Sequence, residues 1–329
     1  MTFPADEEAA RYSSVAIRAR RKGYPNSDLL TPQNRANIFD PALKQYGSAY
    51  RAGDPIFKDL GAQSRWQTAR EAVMAHMLRV IGESPWQGNL MLHGSCLLKA
   101  WLGEVARPPK DIDWVVIPQS LASNSEEASD MMDGITDLLS QKPSAGLAMI
   151  DATRATRDAI WTYERADGMR ITFPWIAPDL PQGTLQMDFI FGDALWTPPV
   201  LTSLPLDGGA PISLLAASPE LSLAWKLQWL LTDEYPQGKD LHDAAILAER
   251  VVLPPHLIES LVKCLDPDGQ TQMAGVRRVL DFLARTYMIN NIDWKNFLLE
   301  YPWIQGSKSE WLQRLVAGLE RSAGAGNQP

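Results

Sequence analysis

Residues 91 to 117 read MLHGSCLLKAWLGEVARPPKDIDWVVI. A small-residue turn, His93-Gly94-Ser95, opens an apolar run on a helical period, Cys96-Leu97-Leu98 and then Ala100-Trp101-Leu102. A loop holding Arg107, Pro108, Pro109 and Lys110 follows, and Asp111-Ile112-Asp113 leads into the apolar run Trp114 to Ile117. Side chains alternate along a strand, so Asp111 and Asp113 share one face. Two carboxylates so placed repel unless something neutralises them. The usual neutraliser is a hard divalent cation such as Mg²⁺, which takes oxygen ligands and keeps waters and substrate phosphates in its shell. The Gly94-Ser95 turn offers an anion the backbone N–H groups and dipole of a helix start. An anion seat beside a carboxylate pair points to nucleoside triphosphate chemistry. Each half has a plainer reading when taken alone. Asp-x-Asp fits a solvated strand end, and Gly-Ser before a helix fits an N-cap. Their order, followed by a third strand-borne aspartate, favours the chemical reading.

That third aspartate lies in Thr184 to Phe191, TLQMDFIF. Alternation puts Leu185, Met187 and Phe189 on one face and Gln186, Asp188 and Ile190 on the other. Asp188 in mid-strand is costly to bury unless it is paired or binds metal, and the alternative is a solvent-facing side.

Composition bounds the rest. The 329 residues make room for one large or two modest domains. The hydrophobic share of 45% and charged share of 21% are those of a soluble globular protein. A formal net charge of −8 argues against broad non-specific affinity for nucleic acid, though not against a local basic groove. Cys96 and Cys264 lie in helical patterns without metal or redox spacing, which suits a reducing, cytoplasmic setting. The polar, acidic N-terminus has no signal-peptide pattern, and no apolar run reaches the roughly 18 residues of a membrane span.

Residues 1 to about 60 read as a polar, irregular arm with a basic cluster, Arg18, Arg20, Arg21 and Lys22. The spacing of Ala72, Val73, His76, Met77 and Val80 predicts a helix from Ser64 to Ile81, with His76 at the edge of its apolar face. Asn89 to Leu92 is then a short strand delivering the turn. The stretch from Ser120 to Ser140 has a helical middle. Gly146 to Asp151, Asp158 to Tyr163 and Met169 to Ile176 read as strands, with Pro174 marking an edge or bulge. Residues 195 to 218 are Pro-rich and read as a connection. Ser218-Pro219-Glu220 is a strong helix start, and Lys239-Asp240-Leu241-His242-Asp243 opens a second helix through Glu249. The remainder is helical, broken at Pro254-Pro255, Pro267-Asp268-Gly269 and Pro302, with a frayed tail from Ala323.

Taken together, Gly94-Ser95, Arg107-x-x-x-Asp111-x-Asp113, Asp188, Lys226-Leu227 and Lys239-Asp240-x-x-Asp243 resemble the nucleotidyltransferase toxins of the AbiEii type, the toxin halves of type IV toxin–antitoxin and abortive-infection systems. The resemblance spans roughly residues 65 to 250. Its Gly-Ser and Asp-x-Asp parts belong to the whole DNA-polymerase-β-like superfamily, and the lysine motifs narrow it to this family. His93 stands where the family carries a first glycine, and Trp225 and Gln237 replace an acidic residue and an arginine beside the lysine motifs.

The resemblance implies an α/β (α+β) fold: a mixed sheet flanked by helices, followed by a mostly helical C-terminal domain. The expected division is an arm at 1–62, a nucleotidyltransferase domain at 63–205, a helical domain at 206–322 and a disordered tail at 323–329. It also implies transfer of a nucleoside monophosphate from an NTP to an acceptor, in the leading reading the 3′ end of tRNA, with a cognate antitoxin as partner and no membrane. Asp111, Asp113 and Asp188 would hold Mg²⁺, as one ion or two. Gly94 and Ser95 would seat phosphates, with His93 beside them. Asp188 would complete the metal site or take the acceptor's proton. Lys226 would contact the triphosphate, and Asp240 would be a catalytic or lysine-orienting carboxylate; without the resemblance the two read first as an interhelical salt bridge. Arg107, Lys239 and Asp243 would support them. Protein nucleotidylation and a catalytically degenerate nucleotide-binding regulator are the alternatives.

Overall fold

A computed structural model describes residues 28–31, 35–43, 49–162, 166–206, 209–233, 235–266, 275–284 and 291–325. The basic cluster at 18–22, the break at 267–269 and the last residues of the tail lie outside them. The fold is mixed α/β, a curled mixed sheet flanked by helices and followed by a helical C-terminal region. Two compact units make it up. One holds residues 29–37 and 52–218, and the other holds 1–28, 38–51 and 219–329.

Strands β1 (Asp28–Thr31), β2 (Arg35–Phe39) and β3 (Tyr50–Pro55) form a small sheet of their own, in a region the sequence reads as irregular. They are short and carry little apolar alternation, so periodicity does not reveal them. The sheet-bearing unit then opens with helix α1, Leu60–Gly82. Its cap is Asp59, not Ser64: the Asp59 carboxylate accepts from the backbone N–H groups of Gly61 and Ala62. The buried face of α1 carries Trp66, Val73, Met77, Leu78 and Ile81. Trp66 packs on Trp175 at 5.2 Å between ring centroids, and its indole donates to the Pro181 carbonyl.

Strand β4 (Leu90–His93), helix α2 (Ser95–Leu102) and strand β5 (Asp111–Val116) come next. Helix α3, Glu126–Gln141, is capped by the Ser125 hydroxyl, with Glu126 and Glu127 in its positive first turn. Strands β6 (Ser144–Ala145), β7 (Ala148–Ile150), β8 (Thr156–Thr162), β9 (Ala166–Ile176) and β10 (Gly183–Ile190) follow. The stretch from 195 to 218 is more than a connection. It supplies β11 (Val200–Leu204) and β12 (Ile212–Ala216), an antiparallel pair at one end of the sheet. Sheet order is β11-β12-β4-β5-β10-β9-β7-β6, with β8 also on β9. Pro174 sits in an interior strand, at neither an edge nor a bulge. β9 pairs with β8 up to Thr172 and with β7 from Trp175, so the missing N–H of Pro174 falls at the changeover between partners. The core beneath is Trp114, Phe173, Trp175, Met187 and Phe189, all excluded from solvent.

In the helical unit, α4 (Pro219–Thr232) is buried on nearly every side, with Leu221, Leu223 and Leu227 fully covered. It packs on α5 (Gly238–Ala248) and α6 (Pro255–Leu265). Helix α7 (Val276–Leu283) and α8 (Trp294–Glu300) lead to α9 (Lys308–Ala325), which packs along α5. Gly318 permits that approach, since a Cβ there would lie 2.7 Å from the backbone of Ala248. Helix α9 runs through Ala325, past the expected start of the tail. Among the described residues no helix is long and apolar enough to cross a membrane.

Candidate active site

The two prolines ahead of Asp111 cannot donate ladder hydrogen bonds, so the strand begins where they end. Ile112 and Trp114 of β5 turn into the core, which leaves Asp111 and Asp113 half-buried on the opposite face. Pairing extends that face into a rung. His93 of β4 lies opposite Asp113, Asp113 beside Asp188 of β10, Asp188 opposite Arg170 of β9, and Arg170 opposite Asp158 of β8. Paired residues share a face, so these side chains rise together. The neighbouring rung carries Asp111, Gln186, Thr172 and Thr156.

The turn after β4 is shaped around these carboxylates. Gly94 has φ 80° and ψ −151°, a region in which only glycine is at ease. A Cβ there would lie 2.3 Å from Oδ2 of Asp113, inside van der Waals contact. The Ser95 hydroxyl donates to Oδ1 of Asp111 at 3.3 Å. One turn thus touches both members of Asp-x-Asp, with the N-terminus of α2 immediately behind. Cys96 follows, its Sγ 3.4 Å from the Asp111 carbonyl oxygen. Burial, then the Asp113 and Asp111 carboxylates, push the Cys96 thiol well up, while Arg107 pulls the other way. Arg107 is thus within electrostatic reach of Cys96, and it is itself buried. Lys110, next in sequence to Asp111, is held by Asp54 at 3.1 Å, and Asp54 also takes Arg70 at 2.9 Å. Burial would raise the Asp54 carboxyl, but Arg70 and Lys110 outweigh it and hold the group well below the usual carboxylate range.

Asp188 is placed on the rung as the alternation requires, and it is paired. Arg170 Nε donates to its Oδ1 and Nη2 to its Oδ2, each at 2.7 Å, with Arg170 5% and Asp188 7% exposed. This fork of two parallel bonds is the strongest arrangement open to such a pair. Among the described residues no group of three or more His, Cys, Asp or Glu side chains is assembled for a metal ion. The structure thus brings Asp111 and Asp113 together and turns both oxygens of Asp188 toward Arg170. Sequence reading passed over Arg170. Its signal was a charged residue inside the β9 alternation, opposite Asp188 once residues are counted across the hairpin between β9 and β10.

The lysine motifs of the helical unit meet on facing turns of α4 and α5. Lys226 Nζ donates to Asp240 Oδ1 at 2.7 Å and lies 3.1 Å from Asp243 Oδ2. It also stands 5.0 Å from the centre of the Trp229 ring. Lys226 is 3% exposed, Asp240 1% and Asp243 0%. His242 Nδ1 lies 3.2 Å from Asp243 Oδ1, with its ring against Trp311. Lys239 is half-buried on the first turn of α5. At Gly238, just before it, a Cβ would strike the Asp293 carbonyl at 2.3 Å.

The oxygen donors of Asp111 and Asp113, side by side on one face with a side-chain-free turn against Asp113, fit a divalent cation. No curated protein matches the chain. The model of the family described as nucleotidyl transferase AbiEii toxin, type IV TA system, matches residues 76–304, which spans the carboxylate rung and both lysine motifs. With most of its length matched, the chain belongs to the AbiEii nucleotidyl transferase toxin family.

Proposed function

We propose that this protein is a Mg²⁺-dependent nucleotidyltransferase toxin that moves a nucleoside monophosphate from an NTP to the 3′ end of tRNA and so blocks translation. The observation that carries this reading is the Gly94 turn closed on Asp113, with Ser95 bonded to Asp111. Family membership supports the transferase class and, with it, an NTP substrate and a cognate antitoxin.

Asp111 and Asp113 are the residues that would hold the ion. When bound, Mg²⁺ would neutralise charge on the triphosphate as the nucleotidyl group passes to the acceptor. The Gly94 backbone and the Ser95 hydroxyl, at the positive end of α2, seat the departing phosphates. Arg107 adds positive charge within reach of Cys96, next to Ser95. The acceptor hydroxyl gives up its proton to solvent as its oxygen bonds to the α-phosphorus, the bond to the β-phosphate breaks, and pyrophosphate leaves. Two roles were open to Asp188, oxygen donor and proton acceptor. The Arg170 fork engages both carboxylate oxygens and so opposes either role. Lys226 can reach a triphosphate only by giving up Asp240 and Asp243. We therefore assign it to ordering the helical unit's carboxylates, and Asp240 is its orienting partner.

The test is incubation of the purified protein with Mg²⁺, each α-labelled NTP in turn, and total tRNA, beside Asp111→Ala. Label on tRNA that vanishes in the variant and on chelation supports the proposal and names the nucleotide. Label on protein instead redirects it to protein nucleotidylation, and no label anywhere sinks it.

A further inference from the structure

We propose that Arg170 is a positioning residue that competes with the divalent cation for Asp188, and so sets how tightly the site binds metal. The inference rests on the transferase reading above and adds a regulator of the same centre.

The geometry is specific. Asp188 shares its rung with Asp113 and lies one strand away from it, close enough in the sheet to serve the same ion. Its two oxygens are nonetheless taken by Nε and Nη2 of Arg170, each at 2.7 Å. Both residues are more than nine-tenths buried. A buried guanidinium in such a fork offsets one carboxylate charge of the rung that also carries Asp113. A site of three carboxylates would attract a divalent ion more strongly than a site of two, at the cost of mutual repulsion in its absence. Arg170 removes that repulsion. With the fork in place an ion meets a carboxylate whose charge is already offset and whose best-placed lone pairs are taken, so its net affinity is lower. Asp158 stands across from Arg170 on the exposed strand β8.

The experiment is a Mn²⁺ titration followed by electron paramagnetic resonance, with a non-hydrolysable NTP analogue present. The proteins are wild type, Arg170→Gln, Arg170→Lys, Arg170→Gln/Asp188→Asn, and Asp111→Asn/Asp113→Asn. Freeing Asp188 in Arg170→Gln is expected to tighten Mn²⁺ binding by at least about tenfold. Adding Asp188→Asn is expected to return the affinity to within about threefold of wild type. Unchanged or weaker binding in folded Arg170→Gln overturns the proposal. If that variant fails to fold, Arg170→Lys decides, because an ammonium cannot form the fork and vacates one carboxylate oxygen. It must tighten binding by about threefold, and no change there is equally fatal. Mn²⁺ binding that is lost in Asp111→Asn/Asp113→Asn, with no effect at Arg170, removes this inference and leaves the transferase reading standing. No Mn²⁺ binding by wild type removes both.

Discussion

Replacing Gly94 with alanine tests the site at its tightest point. The new Cβ would sit 2.3 Å from Oδ2 of Asp113 and 3.2 Å from its Cγ. Ordinary contact needs a little over 3 Å, so the carboxylate must retreat by about 1 Å or the turn must open by as much. The backbone adds to the cost. At φ 80° and ψ −151° alanine is strained by about 1–3 kcal/mol. A displacement of about 1 Å at a group that positions reacting atoms costs roughly a hundredfold in rate. Gly94→Ala is therefore expected to lower transfer of labelled nucleotide about a hundredfold, while its unfolding midpoint in urea reports a loss of no more than about 3 kcal/mol. A well-folded Gly94→Ala that transfers nucleotide within a few-fold of wild type would refute the claim that the turn is built around Asp113.

Three further outcomes are expected. Lys226→Met leaves Asp240 and Asp243 buried without their shared cation and should cost about 3–5 kcal/mol in urea unfolding, much of it recovered when both aspartates become asparagine; a loss under about 1 kcal/mol would show that the cluster is not a buried ion network. Asp293, which caps α8, is pushed up to about 6, chiefly by burial. An acid raised on folding favours its protonated form in the native state, so its contribution to stability is present below about pH 4 and is lost as pH rises through 6, by at most about 3 kcal/mol. Asp293→Asn keeps the cap acceptor and should flatten thermal stability between pH 4 and 6, and an unchanged slope would be the contrary result. Asp54 is the opposite case, since its lowered carboxyl gives stability above its unfolded value that disappears as pH falls. Asp54→Asn should therefore blunt the acid limb of the stability curve, and it should also slow transfer by loosening Lys110 beside Asp111. Wild-type behaviour in both assays would count against that role.

The features legible in the sequence were those that rest on local periodicity. Leu185, Met187 and Phe189 alternate without interruption, and the strand they announce buries all three on one face. Ser218-Pro219 announces α4 to the residue. Asp111 and Asp113 fall on a common face because they stand two positions apart on one strand. What escaped depends on partners distant in sequence. Strands β11 and β12 look like a Pro-rich connection until the sheet edge supplies pairing. Pro174 looks like an edge signal until β9 is seen to change partners beside it. Arg170 has no meaning before the register between β9 and β10 sets it against Asp188. The lysine cluster was half visible: the motifs stood out through resemblance, but only the packing of α4 on α5 shows Lys226 enclosed by two carboxylates.

The parallel pairing of β5 with β10 has a bearing on how chains of this design can change length. Asp113 and Asp188 meet on one rung although a helix and several strands separate them in sequence. Residues gained or lost in the connecting loops, such as 118–125, leave that meeting untouched, because the register is fixed by the strands alone. A single residue inserted within Asp111–Val116 is another matter. It would send every later side chain to the opposite face, bring Trp114 out of the core and turn one aspartate inward. Loop length is thus open to variation, whereas the number of residues in β5 is not.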